Sequence, residues 1–449
     1  MTYADGIAFW YGRINFEVRA AAPTDLKLER MRALLSLLGD PDRRLRVVHV
    51  TGTKGKGSTC AFVGGALREA GYRVGTFSSP HLARVEERFS VDGSDITPDE
   101  LAAILGDIAP VVAQMDRLTQ FPPITFFEIS TAVAFLHFVR RRVELVLLEV
   151  GLGGRFDSTN VCSPLVSVIT SVGLDHLAQL GPTVEAIAYQ KGGIIKPRVP
   201  VVSGVEPAGP HAVIASIAAE NAAPLTRLGV GVTFTRVAGV THFRSRQKWP
   251  PVKLGLLGEH QSRNAAVAIL TIERLREAGF TVPDAAVVRG FAGARWPARV
   301  EVLRRDPALV LDSAHNVPSA EALVQTLREE FPHARHKACV FAVSSDKQFP
   351  EILAVLGGFF DHFYLTAFTQ SARAVSPATL AEVLREVAPH GAHTLHATPQ
   401  LAAEAALAAA SPGDLVGVAG SVFLAGELRD WLTLRLGKTD SPQRAQEST

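Results

Sequence analysis

The chain has 449 residues, of which 47% are hydrophobic and 20% are charged. These values fit a folded protein of two or three domains and exclude an intrinsically disordered chain. The 46 basic residues nearly balance the 44 acidic residues. We therefore predict no nucleic-acid partner and no general attraction to an anionic membrane surface.

The cysteine content and the apolar segments indicate where the protein works. Its three cysteines, Cys60, Cys162 and Cys339, are odd in number and far apart, which fits neither a disulfide framework nor a zinc site. The amino terminus lacks the pattern of a secretory signal, and no run of about 18 apolar residues could span a membrane. We predict a soluble, cytoplasmic protein.

The first part of the chain alternates helical periodicity with short β-branched runs. This alternation predicts βαβ units and a parallel sheet, and so an α/β fold. The predicted strands are 46–51, 72–77, 145–150, 165–171 and 199–203, and the predicted helices are 26–38, 57–70, 126–141, 183–192 and 261–278. Between them, residues 230–257 read as short strands, which favours an antiparallel appendage.

The glycine- and proline-rich segment 290–297 (GFAGARWP) is interpreted as an interdomain linker. Beyond it a second alternation predicts a smaller Rossmann-like domain, with strands at 309–312, 338–343, 362–366, 393–396 and 415–419. The predicted domains are 1–295, a parallel-sheet domain, and 296–437. The polar residues 438–449 are predicted to be a disordered tail.

A glycine-rich loop follows the first strand and precedes a helix, with the sequence Gly52-Thr53-Lys54-Gly55-Lys56-Gly57-Ser58. Glycines let backbone N–H groups surround phosphate oxygens, and the helix amino terminus adds partial positive charge. Lys56 can reach the terminal phosphates, and the Ser58 hydroxyl can bind magnesium. The segment therefore predicts a P-loop and makes 1–295 the predicted ATP-binding domain. A glycine separates the lysine from the serine, unlike the commonest spacing.

Glu149 ends an apolar strand and precedes the glycine-rich segment 151–157 (GLGGRFD). A buried carboxylate without a partner is costly, and a metal ion would remove that cost. We interpret Glu149 as a metal ligand, and a solvated strand end is the alternative.

Asp175 and His176 follow the next strand and fall at the same edge of the predicted sheet. Because magnesium prefers oxygen ligands, the residues alone leave His176 open as a ligand, an acid–base group or a structural residue. Lys191, at a predicted helix end, is either a surface lysine or a buried lysine whose pKa is lowered enough for modification.

In the second domain Asp312 and His315 follow a predicted strand in the segment DSAHN. A carboxylate and an imidazole at the carboxyl end of a strand are typical of a site in α/β folds. Arg299, just after the linker, is predicted to contact phosphate. Together these residues predict a cleft between two α/β domains.

The chain resembles the folylpolyglutamate synthases, including the bifunctional dihydrofolate synthases, within the Mur ligase superfamily. The resemblance covers about residues 27–436 and rests on segments that occur in the family's order. They are HVTGTKGKGST, SSPHLARVEERFSVDG, LLEVGLGGRFDSTN, LDHLAQLG, QKGGIIKP, GEHQSRNAAVA, WPARVE, DSAHN and GSVFLAGE.

The resemblance implies roles for individual residues. ATP would be held by Gly52, Thr53, Gly55, Lys56, Gly57, Ser58, Asn264, Arg299 and Asp312. Two magnesium ions would be bound by Ser58, Glu149 and His176, with Lys191 carbamylated so that it offers oxygen. The acceptor or glutamate would contact Ser79, Pro80, His81, Phe127, His315 and Ser421. Lys56, Lys191 and His315 would be the catalytic residues.

Three positions depart from the family's usual pattern. Lys54 stands where many members have asparagine, and Gln190-Lys191-Gly192 replaces Glu-Lys-Ala. Pro318 comes one residue later than in the usual His-Asn-Pro. This shift affects the local geometry around His315.

The implied reaction is ATP-dependent amide formation in which a carboxylate forms an acyl phosphate and L-glutamate then displaces phosphate. Domain closure about Trp296 and Pro297 would exclude water, and the substrates would be dihydropteroate or a folate with L-glutamate. We expect a monomer. The alternatives are a Mur-like ligase with another carboxylate acceptor and a nucleotide-binding protein that ligates nothing.

Overall fold

The structure is a computed structural model that describes residues 1–15, 28–117, 121–369 and 371–439. These residues form two compact units, one of Met1–Gly255 with Gln261–Ala294, the other of Leu256–His260 with the chain from Arg295 onward. The predicted domain limits at 295 and 437 stay a prediction. Residues 440–449 of the predicted tail lie outside the described residues.

Helices occupy the segments between most of the strands. In chain order they are α1 (Tyr3–Tyr11), α2 (Glu29–Leu37), α3 (Lys56–Glu69), α4 (Pro98–Asp116), α5 (Phe126–Arg140), α6 (Leu177–Leu180), α7 (Val184–Gly192), α8 (Ala208–Glu220), α9 (Glu259–Glu277), α10 (Asp284–Gly293), α11 (Val317–Glu330), α12 (Phe349–Gly357), α13 (Pro377–Val387), α14 (Pro399–Ala409) and α15 (Val422–Thr439). Over the described ranges, no helix is long and apolar enough to cross a membrane.

The first unit is built on a mostly parallel sheet. Its strands are β1 (Val47–Thr51), β2 (Val74–Phe77), β3 (Phe89–Val91), β4 (Ser94–Asp95), β5 (Leu145–Glu149), β6 (Val166–Ile169), β7 (Val201–Ser203) and β8 (Leu225–Arg227). Their order across the sheet is β4-β3-β2-β5-β1-β6-β7-β8. The β2–β3 and β3–β4 pairs are antiparallel, and the other pairs are parallel. The predicted parallel sheet is confirmed, and all five predicted strands lie in it.

The centre of this sheet is wholly buried. Every residue of β1 and β5 is buried, which explains their continuous apolar runs, since helices cover both faces of parallel sheets. The carboxyl ends of β1, β5 and β6 are neighbours in the sheet, because β1 pairs with both of the others. Three segments with predicted site residues therefore emerge side by side.

The predicted antiparallel appendage is also confirmed. It consists of β9 (Thr233–Val237), β10 (Val240–Arg244) and β11 (Val252–Lys253), which form a separate antiparallel sheet in the order β11-β10-β9. β9 and β10 are joined by a tight hairpin turn in which Ala238 and Gly239 have positive φ angles.

The prediction of a linker over 290–297 is wrong for its first half, because α10 continues to Gly293. Gly290 is needed for close packing: a Cβ there would lie 2.3 Å from the backbone nitrogen of Ala66 in α3. Gly65 faces it, and a Cβ at that position would lie 2.6 Å from the Gly290 carbonyl oxygen. The glycines thus mark a helix–helix contact.

The second unit has a six-stranded sheet among its described residues. Its strands are β12 (Glu301–Arg305), β13 (Ala308–Leu311), β14 (Lys337–Phe341), β15 (His362–Leu365), β16 (Ala392–Leu395) and β17 (Leu415–Ala419), in the order β12-β13-β17-β14-β15-β16. The five predicted strands are parallel, and the additional β12 is an antiparallel edge strand. The predicted smaller Rossmann-like fold is confirmed, with a mixed sheet.

Candidate active site

The predicted phosphate loop lies between β1 and α3. Gly55 adopts φ 86° and is the residue before the first turn of α3, a left-handed conformation that favours glycine. A Cβ at Gly55 would also lie 2.3 Å from the Asn264 side-chain oxygen. The loop therefore requires glycine here for both reasons, and Asn264 of α9 lies against its backbone.

Side chains at the end of β6 hold the loop in shape. Thr170 Oγ1 donates to the Lys54 carbonyl at 2.6 Å, and the Lys54 N–H donates to Ser171 Oγ at 2.9 Å. The Thr53 N–H donates to the Ser171 carbonyl at 3.0 Å. The protein's own hydrogen bonds thus order the phosphate loop before a ligand binds. This preorganisation lowers the entropic cost of binding.

Lys56 and Glu149 meet at the base of this loop. Lys56 Nζ donates to the Gly52 carbonyl at 3.1 Å and lies 3.8 Å from Glu149 Oε1. Glu149 is the last residue of β5 and is only 5% exposed. Its buried charge is therefore balanced by the lysine of the phosphate loop. Ser58, in the first turn of α3, is also buried.

Lys191 is buried, so its interpretation as a surface lysine is wrong. It lies in the last turn of α7 and is 4% exposed. Burial, followed by the nearby charge of Lys56, lowers the pKa of Lys191 to about 7. At neutral pH a large fraction of the amine is therefore uncharged and nucleophilic.

His176 borders the same small polar pocket as Lys56 and Lys191, together with Asp175 and residues 151–153. His176 has φ 51°, and its Nε2 lies 3.8 Å from Asp175 Oδ1. Asp175 Oδ2 is 3.4 Å from Lys54 Nζ. The residues that the structure describes include no group of three or more His, Cys, Asp and Glu side chains placed to hold a metal.

Asp157 organises the wall of this pocket, and the sequence interpretation assigned it no role. One oxygen accepts from the N–H groups of Gly151 and Leu152 at 3.1 and 2.9 Å. The other accepts from the N–H and the hydroxyl of Thr159 at 3.0 and 2.5 Å. Asp157 stands just before Ser158-Thr159 and caps that turn with its side chain. This position of an aspartate is the sequence signal that could have indicated its structural role.

The predicted acceptor-side residues lie on two segments of the first unit. Ser79 and Pro80, joined by a cis peptide bond, follow β2, and His81 Nδ1 accepts from Arg88 Nε at 2.9 Å. The Phe127 ring lies against Gly151, where a Cβ would be 2.4 Å from the ring. Phe127 thus contacts the wall of the Lys56–Lys191 pocket.

In the second unit, Asp312 and Arg299 lie at the carboxyl end of β13. The Asp312 carboxylate accepts from the N–H groups of Val300 and Ala314 at 2.8 and 2.7 Å. Burial raises the pKa of Asp312, and the charge of Arg299 opposes this. Arg299 Nη1 donates to Ser313 Oγ at 3.1 Å.

His315 and Ser421 lie at the same edge of that sheet, since β13 and β17 are parallel neighbours. His315 Nδ1 is 2.8 Å from the Ser313 carbonyl, and because a carbonyl only accepts, the neutral ring carries its proton on Nδ1. Ser421 is 4% exposed. Pro318 is accommodated in the first turn of α11, where its missing N–H has no helical partner to lose.

Comparison with known proteins identifies the class. Residues 50–272 match the Mur ligase middle domain, and residues 298–422 match the Mur ligase glutamate ligase domain. The fold and the phosphate loop beside Lys191 are therefore those of an ATP-dependent ligase of the Mur type.

Individual relatives narrow the class further. The dihydrofolate synthase/folylpolyglutamate synthase of Bacillus subtilis is 39% identical over 359 residues, which cover 78% of this chain and 82% of that protein. Escherichia coli FolC in complex with DHPP and ADP superposes with a TM-score of 0.83 at 30% identity, covering 97% and 99% of the two chains. Mycobacterium tuberculosis folylpolyglutamate synthase complexed with ADP gives 0.84 at 31% identity, covering 96% and 98%. The chain belongs to the folylpolyglutamate synthase/dihydrofolate synthase family.

Proposed function

We propose that this enzyme joins L-glutamate to the carboxylate of a folate-type acceptor, dihydropteroate or a folate, at the expense of ATP. The observation that carries the proposal is the pocket in which Lys56 and the buried Lys191 meet beside the phosphate loop, in a chain of this family. A protein that only bound nucleotide would have no need of a buried lysine with a lowered pKa in that pocket.

The first step uses residues of the phosphate loop. ATP binds with its phosphates against the backbone N–H groups of 52–58, and Lys56 lies where it can reach the terminal phosphates. An oxygen of the acceptor carboxylate attacks the γ-phosphorus, ADP leaves, and an acyl phosphate forms. Lys56 stabilises the charge that develops in this transfer, which is an electrostatic contribution.

The second step uses the second unit. The amine of L-glutamate attacks the acyl carbon, inorganic phosphate leaves, and the amine loses a proton as the amide forms. His315 is proposed to take that proton on Nε2, since its Nδ1 is already committed as a donor to the Ser313 carbonyl. Asp312 and Arg299 are proposed to contact the nucleotide, and Ser421 to contact glutamate.

The donors around Glu149 fit magnesium. Magnesium is usually held by one or two carboxylates together with substrate phosphates, and a buried carboxylate beside the phosphate loop matches that need. We propose Ser58, Glu149 and His176 as ligands of two ions, which would supply Lewis-acid charge stabilisation at the phosphates. Lys191 is proposed to be carbamylated, and its lowered pKa supports this, because only the uncharged amine adds to carbon dioxide. The monomeric state and cytoplasmic location stay predictions from the sequence.

The test is a substrate panel. Purified protein is incubated with ATP, magnesium and L-glutamate, and with dihydropteroate, tetrahydrofolate or no acceptor, and the product masses are read by mass spectrometry. We expect one or more glutamyl increments on at least one of the two acceptors. ATP turnover that is indifferent to both acceptors would contradict the proposal and favour another carboxylate acceptor.

A further inference from the structure

The antiparallel sheet β9–β11 concentrates positive charge. Residues 230–255 contain five Lys or Arg and no Asp or Glu, which leaves 41 basic against 44 acidic residues in the rest of the chain. A nearly neutral protein therefore carries a basic segment and an acidic remainder. None of the proposed catalytic roles uses this segment.

Most of the charge points to one side of the sheet. In β10, His242 and Arg244 are exposed and alternate with buried residues. Lys248 pairs opposite Arg244, and Lys253 pairs opposite Val240. Because directly opposite residues share a face, four exposed basic side chains form one surface, called here the basic face: His242, Arg244, Lys248 and Lys253.

In the part of the chain that the structure describes, the positive charges of the basic face are not neutralised by acidic side chains. Among the described residues, none of its four side chains forms an ion pair, whereas neighbouring Arg246 is 3.2 Å from Glu277. Arg244 and Lys248 are like charges directly opposite each other, an arrangement that opposes strand pairing. An anionic ligand would relieve this repulsion, so the surface is suited to binding negative charge.

The basic face belongs to the same unit as the phosphate loop, and α9 contacts both β10 and the loop. Thr241, on the buried side of β10, lies with its Oγ1 2.9 Å from Ser262 Oγ of α9. Two residues further along α9, Asn264 contacts Gly55 of the phosphate loop. The sheet that carries the basic face therefore packs on the same helix, α9, that contacts the phosphate loop.

We propose that the basic face binds a flexible polycarboxylate, the poly-γ-glutamate chain of the elongated product. The inference rests on the proposed function, which makes such chains. Each γ-linked glutamate carries one free α-carboxylate, so the chain offers repeated negative charges to the cationic side chains of Arg244, Lys248 and Lys253. Single-stranded nucleic acid fits less well, because its binding uses stacking on aromatic rings and Phe243 and Trp249 of this segment are buried.

The experiment measures binding of fluorescently labelled penta-γ-glutamate, free of folate, to the full-length protein by anisotropy at low and at high salt. We expect binding that weakens as salt rises. The triple variant Arg244→Glu, Lys248→Glu, Lys253→Glu should bind at least about tenfold more weakly, as expected for loss and reversal of exposed charges. The triple glutamine variant at the same positions should lose affinity to a smaller extent.

A matched control reverses three other exposed arginines without ion pairs in the described structure: Arg44→Glu, Arg117→Glu and Arg385→Glu. It changes the net charge equally and should keep affinity within about threefold, because long-range effects of exposed charges are screened. Equal losses of affinity in the basic-face glutamate variant and in the control glutamate variant would show that only net charge matters. That result would overturn the proposal. So would unchanged binding after reversal of the basic face, no binding by wild type, or tighter binding of single-stranded RNA than of penta-γ-glutamate.

The outcome is separable from that of the proposed function. Addition of a first glutamate to dihydropteroate or tetrahydrofolate should be the same in wild type and in the basic-face variants, because none of these residues lines the pocket of Lys56 and Lys191. If the acceptor panel fails while penta-γ-glutamate binds the basic face, the proposed ligation is wrong and the polycarboxylate surface stands. If ligation occurs and the oligomer does not bind, only this inference is lost.

Discussion

At the scale of single residues, the environment of Lys191 is the most informative feature of the candidate site. Its amine is removed from water and lies near the cation Lys56, and both effects favour the uncharged form. An amine in this state reacts with carbon dioxide, with loss of one proton, to give a carbamate whose oxygens can bind a hard metal ion.

The pKa of Lys191 leads to a prediction about pH. Because the amine is uncharged above its pKa of about 7, carbamate formed from labelled bicarbonate should increase between about pH 6 and about pH 8, whereas an ordinary lysine stays protonated there. Carbon-13 NMR of the protein should show one carbamate signal that is lost in Lys191→Met. The variant Lys347→Met, at a half-buried lysine of the second unit, should keep it, and a signal that survives Lys191→Met would contradict the assignment.

His315 gives a second prediction. The variant His315→Ala should lower amide formation at saturating glutamate by about a hundredfold, the scale of general-base contributions, while the first turnover of ADP formation stays near the wild-type rate. The two steps are separated by rapid-quench measurement of ADP and of product. An unchanged rate at saturating glutamate would refute a catalytic role for His315.

At the scale of secondary-structure elements, the contact between α3 and α10 depends on two facing glycines. A Cβ at Gly290 would lie within 2.6 Å of three backbone atoms of Gly65 and Ala66, and backbone atoms cannot move aside as a flexible side chain can. Since α3 begins at the phosphate loop, this packing also fixes where that loop lies.

We therefore predict that Gly290→Ala lowers the free energy of unfolding by about 1–3 kcal/mol, the usual cost of overpacking. Gly293→Ala, in the same helix, is the control, because a Cβ there meets nothing within 4 Å. It should be neutral or slightly stabilising, since alanine is the better helix former. Thermal unfolding of both variants checks this, and equal melting temperatures for the two variants would contradict the packing argument.

The loop after β5 supplies a second prediction at this scale. Asp157→Asn keeps the size of the side chain but turns one oxygen into a donor that would face backbone N–H groups. We expect a loss of about 1–3 kcal/mol for the unsatisfied groups and a lower kcat, because the pocket wall at 151–153 loses its anchor. Asp92→Asn, in the turn between β3 and β4, is a comparison remote from the pocket. A kcat unchanged by Asp157→Asn would show that the wall does not need this anchor.

At the scale of the whole molecule, the strands and the phosphate loop could be predicted because they depend on local signals. Apolar runs ending in glycine mark β1 and β5, and the loop spacing marks the phosphate site. The antiparallel β12 could not be predicted in this way, because its pairing with β13 is set by tertiary structure and not by its own pattern. Gly290 was misinterpreted for a related reason: a glycine that permits close packing and a glycine that permits a turn look alike in sequence.

The candidate site shows the same difference between features set by local sequence and features set by tertiary contacts. Lys56 and Glu149 were placed correctly at the sheet edge because their positions follow from the ends of β1 and β5. The burial of Lys191 and the role of Asp157 depend on contacts between distant segments, and no local pattern contains that information. A sequence can indicate which residues come to a site, while the pKa of Lys191 and the hydrogen bonds of Asp157 require the folded arrangement.

The central claim, that the acceptor carboxylate is activated as an acyl phosphate, can be tested with an isotope. An acceptor found active in the panel is labelled with oxygen-18 in the carboxylate that is ligated, and the inorganic phosphate released is analysed by mass spectrometry. The account predicts one oxygen-18 atom in each phosphate formed with product, because the carboxylate oxygen that attacks phosphorus leaves with it. Phosphate without label, with the amide still formed, would contradict the mechanism.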